Sequence, residues 1–579
     1  MSFVSPGPGG GQPPAILTIA GSDSSGGAGI QADLKTFTAL GCYGTSALTA
    51  LTAQNTTGVQ AVHPAPPKFV EQQIRSVLED VNIHAIKTGM LFDADITHVV
   101  ANTLQEFYKS SNSPPLICDP VCVSTTGHTL LHPQAIEVMI RELFPLTVLI
   151  TPNKSEAELL LSHRNLPCKI VGLEDMLIAA KNLTLLGPPA VLLKGGHITV
   201  TTGDIERVSR SHAHILFVND GILNENMEIL EIADQDPSTL QLVVDVLHQR
   251  DDKTTLFLRP RIDSTSTHGT GCTLSAALAC GLGRGLSCLF STSALSSLII
   301  LIALVVVSDT VKYATAYTHL GIETAFLIGT GSGPLNHLHS FVPRIIPPRT
   351  SSNPNPLIRL LIQRSAKTWK NYVEHEFVKL IGNGTLPVAS FVHFMQQDYH
   401  YLKYYARAHG LLAAKSPSYA ANESSALITL HIVRESTLHK EFCAQWNISA
   451  DELENTTESS ATIAYGGYLI DIGLQGDDMK LIMALAACLL GYGEVGLWLK
   501  KEAAKCDRWV KLDGNPYLKW IQDYSGEDYQ AAVKRGLETI EARAAADPPS
   551  AARFEEWQEV WEKCTRLEIS FWDMALHLL

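Results

Sequence analysis

Short apolar runs alternate with amphipathic segments along the first half of the chain. Six of these runs are nearly continuous stretches of Val, Leu, Ile and Ala, which begin near residues 15, 84, 116, 147, 190 and 240. Runs of this kind are typical of parallel strands that helices cover on both faces. The alternation therefore predicts a three-layer α/β domain, whose ligands would bind at the carboxyl ends of the strands.

The pattern changes after a proline-rich stretch, PRIIPPRTSSNPNP at 343–356, which has no periodicity and which we interpret as a linker. From 357 to 579, apolar residues recur mainly at helical spacing, which predicts an all-α bundle. We therefore expect two domains, at 14–342 and 357–579, each with its own core and site. Residues 1–13 lack basic residues and an apolar run, so we interpret them as a flexible leader and not as a signal peptide.

Composition narrows the classes of function. At 579 residues the chain is too long for a single core. Its formal net charge of −14 argues against partners such as nucleic acid or an anionic membrane. Its 11 cysteines show no CxxC pair and no zinc spacing, which indicates reduced thiols and a cytoplasmic location. We expect small-molecule substrates and a homo-oligomer.

A glycine-flanked turn leads directly into an apolar helix at HGTGCTLSAALA, residues 268–279. Backbone N–H groups at a helix start favour an anion, so Gly269, Thr270, Gly271 and Cys272 are a candidate phosphate cradle. Cys272 is a candidate base or nucleophile, because a helix N-terminus lowers the pKa of a thiol. Taken alone, these residues would equally suit a glycine turn with a buried structural cysteine.

A second glycine cluster, AGSDSSGGAGIQADLK at 20–35, lies near the start of the chain. An apolar run reaches Gly21, a loop of Ser and Gly follows, and the next segment carries Asp33 and Lys35 at helical spacing. The order strand, loop and helix is typical of a ligand-binding βα unit. The cluster contains no GxxxxGK[ST] phosphate loop and no dinucleotide fingerprint in the right register.

Four further motifs follow in order along the chain: KTGML at 87–91, CDPV at 118–121, TPNKSE at 151–156 and LLKGGH at 192–197. Together with the two glycine clusters they resemble the hydroxymethylpyrimidine kinase and hydroxymethylpyrimidine phosphate kinase family of thiamine biosynthesis, which has a ribokinase-like fold. The resemblance covers roughly residues 14–340. It implies a kinase that uses ATP and Mg²⁺.

Two segments do not fit this kinase resemblance. Residues 199–239 are polar and irregular, and we interpret them as a surface insertion or a lid extension. Residues 288–310 contain an apolar core at 298–307, which is shorter than the roughly 20 residues that a membrane-spanning helix needs. This second segment is either a buried helix extension or a translated intron or other gene-model error, and the sequence leaves both open.

The resemblance implies a role for each matched residue of the kinase domain. The turn at 269–271 would hold the migrating phosphoryl group, and Cys272 stands where sugar kinases of this fold carry an aspartate base. Lys194 would contact phosphate, while Asn153 and Glu156 would face the water shell of Mg²⁺. The residues implied to surround the substrate ring are Gly21, Asp33, Gln54, Met90 and Val121, with the Gln54 amide on the aminopyrimidine edge.

The helical half contains a second constellation. Asp398, Tyr401 and Tyr405 share one helix face, and Cys488 and Tyr492 share another. A carboxylate, tyrosines and a cysteine inside a bundle indicate a pocket. Together with GNGTLP at 382–387, Tyr465, Tyr517 and Glu568, these residues resemble the thiaminase II (TenA-like, aminopyrimidine hydrolase) family from about residue 357 to the end.

By this second resemblance, Cys488 would add to the pyrimidine ring, Glu568 would move a proton at a ring nitrogen, and Asp398 would hold the amino edge. The tyrosines would stack against the ring. We therefore expect a bifunctional enzyme that phosphorylates hydroxymethylpyrimidine and its monophosphate with ATP, and that hydrolyses thiamine or aminopyrimidine breakdown products. The alternatives are a pyridoxal-type kinase fused to a salvage hydrolase, against which Gln54 and Met90 argue, and a non-catalytic pyrimidine-binding regulator.

Overall fold

The computed structural model of the chain describes residues 12–110, 113–122, 133–167, 169–212, 214–219, 226–230, 241–285, 296–340, 345–350, 352–416, 418–445, 448–506 and 508–579. The chain forms two compact units. The first comprises Met1–Ile222 and Asp234–Pro343, and the second comprises Leu223–Ala233 and Arg344–Leu579. The second unit thus begins inside the stretch interpreted as a linker, and it also takes a short segment from the first half of the sequence.

The first unit is built on a mixed sheet and a separate hairpin. The strands among the described residues are β1 (Ala15–Ala20), β2 (Tyr43–Leu48), β3 (Ala50–Asn55), β4 (Gly58–Pro64), β5 (Ile83–Thr88), β6 (Leu116–Cys118), β7 (Leu149–Ile150), β8 (Ala190–Leu193), β9 (Val200–Thr201), β10 (Leu216–Asn219), β11 (Gln241–Gln249) and β12 (Thr254–Pro260). The order in the sheet is β10-β12-β11-β8-β7-β6-β5-β1-β2, with β9 paired to β11, and β3 and β4 form the hairpin.

All six predicted runs form strands of this sheet. Parallel pairing extends from β2 through β1, β5, β6 and β7 to β8. The expected parallel direction is wrong for the run near residue 240, because β11 is antiparallel to both β8 and β12. Only four residues join β11 to β12, and a connection this short permits antiparallel pairing alone.

Helices cover both faces of the sheet, as the three-layer prediction requires. They are α1 (Gly29–Ala39), α2 (Pro67–Asp80), α3 (Ala94–Ser110), α4 (Pro133–Val138), α5 (Lys154–His163), α6 (Leu173–Thr184), α7 (Thr202–Ser211), α8 (Thr270–Gly285) and α9 (Ser296–Glu323), with a π-helical turn at Met139–Leu143 and a 3-10 turn at Phe144–Leu146. Leu17 and Ile86 face a core shared with α2, α3, α5 and α6. Their neighbours Ile16 and Ala85 face a second core shared with α1, α8 and α9.

The apolar segment predicted at 288–310 is described from residue 296 onward. Residues 296–310 form the first part of α9, which continues without a break to Glu323. Val307 and Thr310 are buried, and a Cβ added at Gly281 of α8 would overlap the Thr310 side chain. Val307 and Thr310, at the described end of the segment, thus pack inside the first unit, whereas residues 288–295 lie outside the described part of the chain. The helix extension and the gene-model error both stay predictions.

The second unit is helical throughout its described residues, as predicted. Its helices are α10 (Pro356–Arg364), α11 (Ala366–Val373), α12 (Glu376–Gly382), α13 (Val388–Lys415), α14 (Tyr419–Gln445), α15 (Ala450–Asn455), α16 (Ser460–Gln475), α17 (Asp478–Ala503), α18 (Leu518–Ser525), α19 (Glu527–Ala546) and α20 (Ala551–His577), with a 3-10 turn at Glu228–Leu230. Among the described helices, α17 alone is long and apolar enough to cross a membrane, and most of it is buried inside the protein. Burial of this kind is typical of a core helix.

A buried carboxylate holds the first helix of this unit. The backbone N–H groups of Leu357 and Ile358 donate to the two oxygens of Glu541 at 3.1 and 2.9 Å. Burial raises the pKa of Glu541 to about 7, although the two N–H groups lower it in part. The start of α10 is therefore tied to α19 by charge-assisted hydrogen bonds.

The segment 199–239, predicted as a surface insertion, is divided between the two units. Its first part forms α7 and β10 in the first unit. Asn226–Leu230 belong instead to the second unit, where Met227, Ile229 and Leu230 join the helical core. The prediction is therefore wrong for these residues, because their apolar side chains are buried. Residues 220–225 and 231–239 lie outside the described part of the chain.

Candidate active sites

The first candidate site lies at the carboxyl edge of the sheet, where the sequence pattern predicts ligands. Gly21 follows β1, Met90 follows β5, Val121 follows β6, Asn153 follows β7 and Lys194 follows β8. Because these strands are parallel, their following residues meet at one edge. The strand order therefore brings five of the predicted site residues to the same face of the first unit.

The two glycine clusters meet at this edge. Gly269 has a φ of +81°, and a Cβ there would overlap the carbonyl oxygen of Gly27. His268 Nε2 lies 2.8 Å from Asp23 Oδ2, and the Gly27 and Ala28 N–H groups donate to the same oxygen at 3.0 and 2.7 Å. Burial raises the pKa of Asp23, but these donors outweigh it and hold that pKa well below its usual range. Asp23 thus fastens the first glycine loop to the cradle at the start of α8.

Lys194 lies beside the cradle and between two buried acidic side chains. Its Nζ is 2.8 Å from Asp119 Oδ1 and 3.8 Å from Glu156 Oε2. A Cβ added at Gly271 would lie 3.1 Å from the same Nζ and 3.3 Å from Asp119 Oδ2. The structure therefore brings together the predicted phosphate-binding lysine and the predicted phosphate cradle.

Asn153 and Glu156 form a reciprocal cap on α5. The Glu156 N–H donates to Asn153 Oδ1 at 2.9 Å, and the Asn153 N–H donates to Glu156 Oε2 at 2.8 Å. Burial raises the pKa of Glu156 to about 7, while Lys194 lowers it in part. The cap thus fixes Asn153 and Glu156 at the start of α5, and Asp119 joins Glu156 around Lys194. The contact of Asn153 and Glu156 with the water shell of Mg²⁺ stays a prediction.

Cys272 lies near a fully buried ion pair. Lys87 Nζ is 2.8 Å from Asp33 Oδ2, and the Thr18 hydroxyl donates to that oxygen at 2.6 Å. Burial raises the pKa of the Cys272 thiol to about 11, although Lys87 and the Gly29 N–H lower it in part. The predicted lowering is therefore wrong, because removal from water outweighs the favourable helix terminus.

Asp33 does not line the substrate pocket, which corrects its predicted contact with the ring. Its carboxylate is wholly buried, and it is used by Lys87 and Thr18. Burial lowers the pKa of Lys87, but Asp33, Cys272 and Asp119 outweigh this and raise it above its usual range. Asp33 thus stabilises the charged form of Lys87 close to the Cys272 thiol.

Three predicted substrate residues do come together. A Cβ at Gly21 would overlap Met90 Cε, so the two residues touch. Gln54 is on the β3–β4 hairpin, where its backbone is linked to Ser24 of the first glycine loop, and its Nε2 lies 3.3 Å from His268 Nε2. The hairpin therefore places the Gln54 amide against both glycine clusters, at Ser24 and His268.

The second candidate site centres on Glu568 of α20. The Tyr465 hydroxyl donates to Glu568 Oε1 at 2.7 Å. Burial raises the pKa of Glu568 to about 8, and Asp398 raises it further, whereas Tyr465, Cys488 and Tyr372 lower it. Side chains from α11, α13, α16 and α17 therefore converge on one carboxyl inside the bundle.

Tyrosine rings form the walls around this carboxyl. The Tyr401 ring centroid lies 4.7 Å from that of Tyr465 and 5.8 Å from that of Tyr405. The Tyr372 and Tyr492 centroids are 6.5 Å apart. Within the described residues, the buried Tyr372 and Tyr401 hydroxyls lie near Glu568 and Tyr465 but beyond ordinary hydrogen-bond geometry. Unsatisfied buried hydroxyls beside an acidic group suit a polar aromatic ligand.

Comparison with known proteins identifies both halves. Residues 23–228 and 232–294 match the phosphomethylpyrimidine kinase family, and residues 362–578 match the TENA/THI-4/PQQC family. A Schizosaccharomyces pombe protein named hydroxymethylpyrimidine/phosphomethylpyrimidine kinase 2 is 34% identical over 564 residues, which cover 97% of this chain and 90% of that protein. The chain belongs to this kinase family.

Two further proteins are similar to this family member. A Saccharomyces cerevisiae hydroxymethylpyrimidine/phosphomethylpyrimidine kinase is 28% identical, over 97% of this chain and 95% of its own length. The pyridoxal kinase of Staphylococcus aureus, solved in complex with ADP, is 28% identical over 57% of this chain and 96% of its own, with a TM-score of 0.42. The expected thiamine-biosynthesis kinase joined to a TenA-like domain is confirmed by the two family matches.

Two residues that the sequence pattern does not single out lie in the candidate sites, Asp119 in the first and Tyr372 in the second. Asp119 lies within the CDPV motif, directly after β6, and an acidic residue at the carboxyl end of a buried strand is a readable signal. For Tyr372, the sequence contains only an indirect indication of a buried ring. A Cβ at Gly491 would overlap the Tyr372 ring, so the GYG sequence at 491–493 leaves the space that the tyrosine fills.

Tyr517 is a packing residue in this family member, which corrects its predicted substrate contact. Its ring is fully buried, with the centroid 4.6 Å from that of Phe391. Its hydroxyl donates to the carbonyl oxygen of Leu386 at 2.6 Å. Tyr517 therefore fastens the GNGTLP turn at 382–387 to the bundle.

Replacing Gly269 by alanine is expected to reduce kinase turnover about a hundredfold, because the overlap with Gly27 displaces the phosphate cradle. The positive φ alone costs roughly 1–3 kcal/mol of stability for a residue with a Cβ. Thermal unfolding and ATP-dependent phosphorylation of hydroxymethylpyrimidine measure the two effects. Gly172→Ala is the matched control, since a Cβ there meets no atom within 4 Å. Equal activity in the two variants would contradict the close approach of the loops.

Proposed function

We propose that the first unit phosphorylates hydroxymethylpyrimidine and then its monophosphate, and that the second unit hydrolyses thiamine or aminopyrimidine breakdown products. The observation that carries the kinase proposal is the cluster of Lys194, Asp119 and Glu156 beside Gly271. The hydrolase proposal rests on the convergence of Cys488, Asp398 and the tyrosines on Glu568. Both reactions act on the same pyrimidine, so the second unit would supply a substrate of the first.

Phosphoryl transfer at the first site needs charge stabilisation more than strong base catalysis. The N–H groups at the start of α8 and the Lys194 ammonium would stabilise charge on the migrating group. A thiol with a pKa near 11 stays protonated at neutral pH. We therefore assign Cys272 to holding the substrate hydroxyl in line, with no proton removal before transfer.

The residues around Lys194 also fit a magnesium ion. Mg²⁺ takes oxygen ligands and keeps several of its waters, so a few protein carboxylates suffice. Asp119 and Glu156 are buried acidic groups that share one lysine, Lys194. Burial raises the pKa of Glu156 more than the charge of Lys194 lowers it. Asp119 and Glu156 would hold the ion, which supplies charge neutralisation to the phosphates of ATP.

The second site offers a nucleophile and an acid in contact. The Cys488 sulfur would add to a pyrimidine ring carbon, while Glu568, which is largely protonated below its pKa of about 8, would give its proton to a ring nitrogen. Asp398 would accept from the exocyclic amino group. The sulfur would add as a thiolate, whose proton has gone to solvent. Loss of the leaving group, attack of water at the carbon that it leaves and release of the thiolate would complete hydrolysis. The ring-nitrogen proton would return to Glu568, and the proton that water loses would go to solvent.

Replacement of Gln54 by leucine tests the kinase proposal. We expect KM for hydroxymethylpyrimidine to rise about 10- to 100-fold, because the variant leaves the polar ring edge without its partners. Initial-rate assays of ATP consumption at varied pyrimidine concentration measure the change. Gln60→Leu, on the exposed partner strand of the same hairpin, is the control and should behave as wild type. A normal KM for Gln54→Leu would exclude this pocket as the pyrimidine site.

A further inference from the structure

A short segment from the first half of the sequence is built into the helical unit. The backbone N–H groups of Glu228 and Ile229 donate to the two oxygens of Glu494 at 2.9 and 3.0 Å. Glu494 is fully buried on α17. Lys501 forms an ion pair with the Glu228 carboxylate at the rim. The helical unit thus binds the backbone of this segment through a dedicated acidic side chain.

Apolar contacts accompany these hydrogen bonds. Met227, Ile229 and Leu230 are buried in the same core as the helices of the second unit. A Cβ at Gly493 would lie 3.5 Å from Ile229 Cγ2, and Gly493 directly follows Tyr492 of the candidate hydrolase pocket. The segment therefore packs against the helix that carries Cys488.

A second line of contacts leads from the segment to the pocket. The Trp369 Nε1–H donates to the carbonyl oxygen of Asn226 at 2.8 Å. The Trp369 ring stacks on Trp561 with centroids 5.2 Å apart, and it meets the Tyr372 ring edge-on at 5.9 Å. The Tyr372 hydroxyl faces Glu568 and lowers its pKa. Asn226 is thus two side chains away from the proposed proton donor.

We propose that Asn226–Leu230 is a positioning element of the hydrolase site, which holds Trp369, and through it Tyr372, in place against Glu568. The proposal rests on the hydrolase function proposed above. Asn226, Trp369 and Glu494 act as positioning residues, since each reaches the substrate pocket only through another side chain. The segment is thus a part of the second unit that the first half of the sequence encodes.

The proposal predicts that displacing Tyr372 shifts the pH profile of hydrolysis in one direction, toward higher pH. The groups that face Glu568 are Tyr372 on α11, Asp398 and Tyr401 on α13, Tyr465 on α16, Cys488 and Tyr492 on α17, and Cys564 on α20 itself. Tyr372 favours the ionised form of Glu568, because its hydroxyl lowers the pKa. Displacing Tyr372 removes this effect, so the limb of the hydrolysis pH profile that Glu568 controls moves to higher pH.

The test uses the full-length chain and three variants. In Glu494→Ala, we expect amide hydrogen exchange of 226–230 to become about tenfold faster or more, because two hydrogen bonds are lost. The kcat for thiamine hydrolysis should fall about tenfold, and its pH limb should move upward. Glu494→Gln keeps one acceptor oxygen and should be intermediate. Trp369→Phe keeps an aromatic ring against Trp561 but lacks the N–H that donates to the Asn226 carbonyl. It should therefore shift the pH profile of hydrolysis, while the amides of 226–230 stay protected from exchange.

Controls separate positioning from general damage. Lys505→Ala removes the ion pair with Glu502 just beyond the end of α17, so exchange and hydrolysis should remain as in the wild type. Phosphorylation of hydroxymethylpyrimidine should be unchanged in every variant. If Glu494→Ala does not fold, Trp369→Phe and Glu494→Gln still decide the question.

Two results would overturn the proposal. Unprotected amides at 226–230 in the wild type would show that the segment is not bound. An unchanged kcat and pH limb in both Trp369→Phe and Glu494→Gln would show that the segment has no catalytic role. A wild-type chain that fails to hydrolyse thiamine or aminopyrimidines would instead remove the proposed hydrolase function and the role in it, while hydrogen exchange would still report whether the segment is bound.

Discussion

Replacing Cys488 by alanine is expected to abolish thiamine hydrolysis by the full-length chain and to leave both phosphorylations at the wild-type rate. Addition to an aromatic ring carbon needs a soft nucleophile, and a thiolate is the best that side chains offer. Cys488 faces the Glu568 carboxyl, so sulfur and proton donor would act on one ring. We expect a fall in kcat of at least about a thousandfold, as removal of a nucleophile elsewhere causes.

Chromatographic release of the pyrimidine from thiamine measures this reaction, and ATP consumption measures the kinase in the same sample. Cys564→Ala is the matched control, because Cys564 is a buried thiol on α20 that also lies near Glu568. Its removal should leave hydrolysis within a few fold of wild type. Hydrolysis that survives Cys488→Ala would mean that the helical unit uses a different nucleophile.

Replacing Asp119 by asparagine is expected to reduce kinase turnover at least about a hundredfold, with ATP-dependent phosphorylation as the measurement. Asp119 holds Lys194 Nζ at 2.8 Å and accepts a hydrogen bond from Thr151 at 3.1 Å. The amide keeps the size of the side chain but loses the negative charge that orients the lysine and would attract magnesium. The hydrolase reaction should continue at its normal rate.

Asp252→Asn provides the control for Asp119→Asn, since Asp252 also pairs with a lysine, Lys181, at 2.8 Å, but on the exposed surface. An exposed ion pair contributes little, so this variant should keep wild-type turnover. Raising the Mg²⁺ concentration should partly restore Asp119→Asn if the carboxylate holds the ion. Wild-type turnover in Asp119→Asn at limiting Mg²⁺ would exclude Asp119 from the site.

Local sequence was sufficient to predict much of the kinase site. Gly21 and Gly269 mark backbone turns, and Lys194 directly follows a buried strand, so the order of strands in a parallel sheet already places them on one edge. The helix face that carries Asp398, Tyr401 and Tyr405 follows in the same way from helical spacing. These predictions depend only on the periodicity of one element and on a common fold rule.

The remaining features depend on residues far apart in sequence. The pKa of Cys272 rises because tertiary packing removes the thiol from water, which no local motif reports. In the sequence, Asp33 is simply a polar residue in a helix. Its burial is explained by the ion pair with Lys87, which lies 54 residues further along the chain. The resemblance implies a substrate contact for Tyr517, but its hydroxyl donates to the carbonyl of Leu386, a partner 131 residues away in sequence.

Glu494 and Glu541 bind their backbone partners in the same way, each accepting two consecutive N–H groups. The partners of Glu541 are encoded within the helical half, whereas those of Glu494 are encoded more than 260 residues upstream. A gene divided at the proline-rich stretch would therefore yield a helical protein in which the buried Glu494 carboxyl lacks the two N–H groups that donate to it. Division of the chain at this boundary would therefore destabilise the helical half unless the core of α17 changed with it.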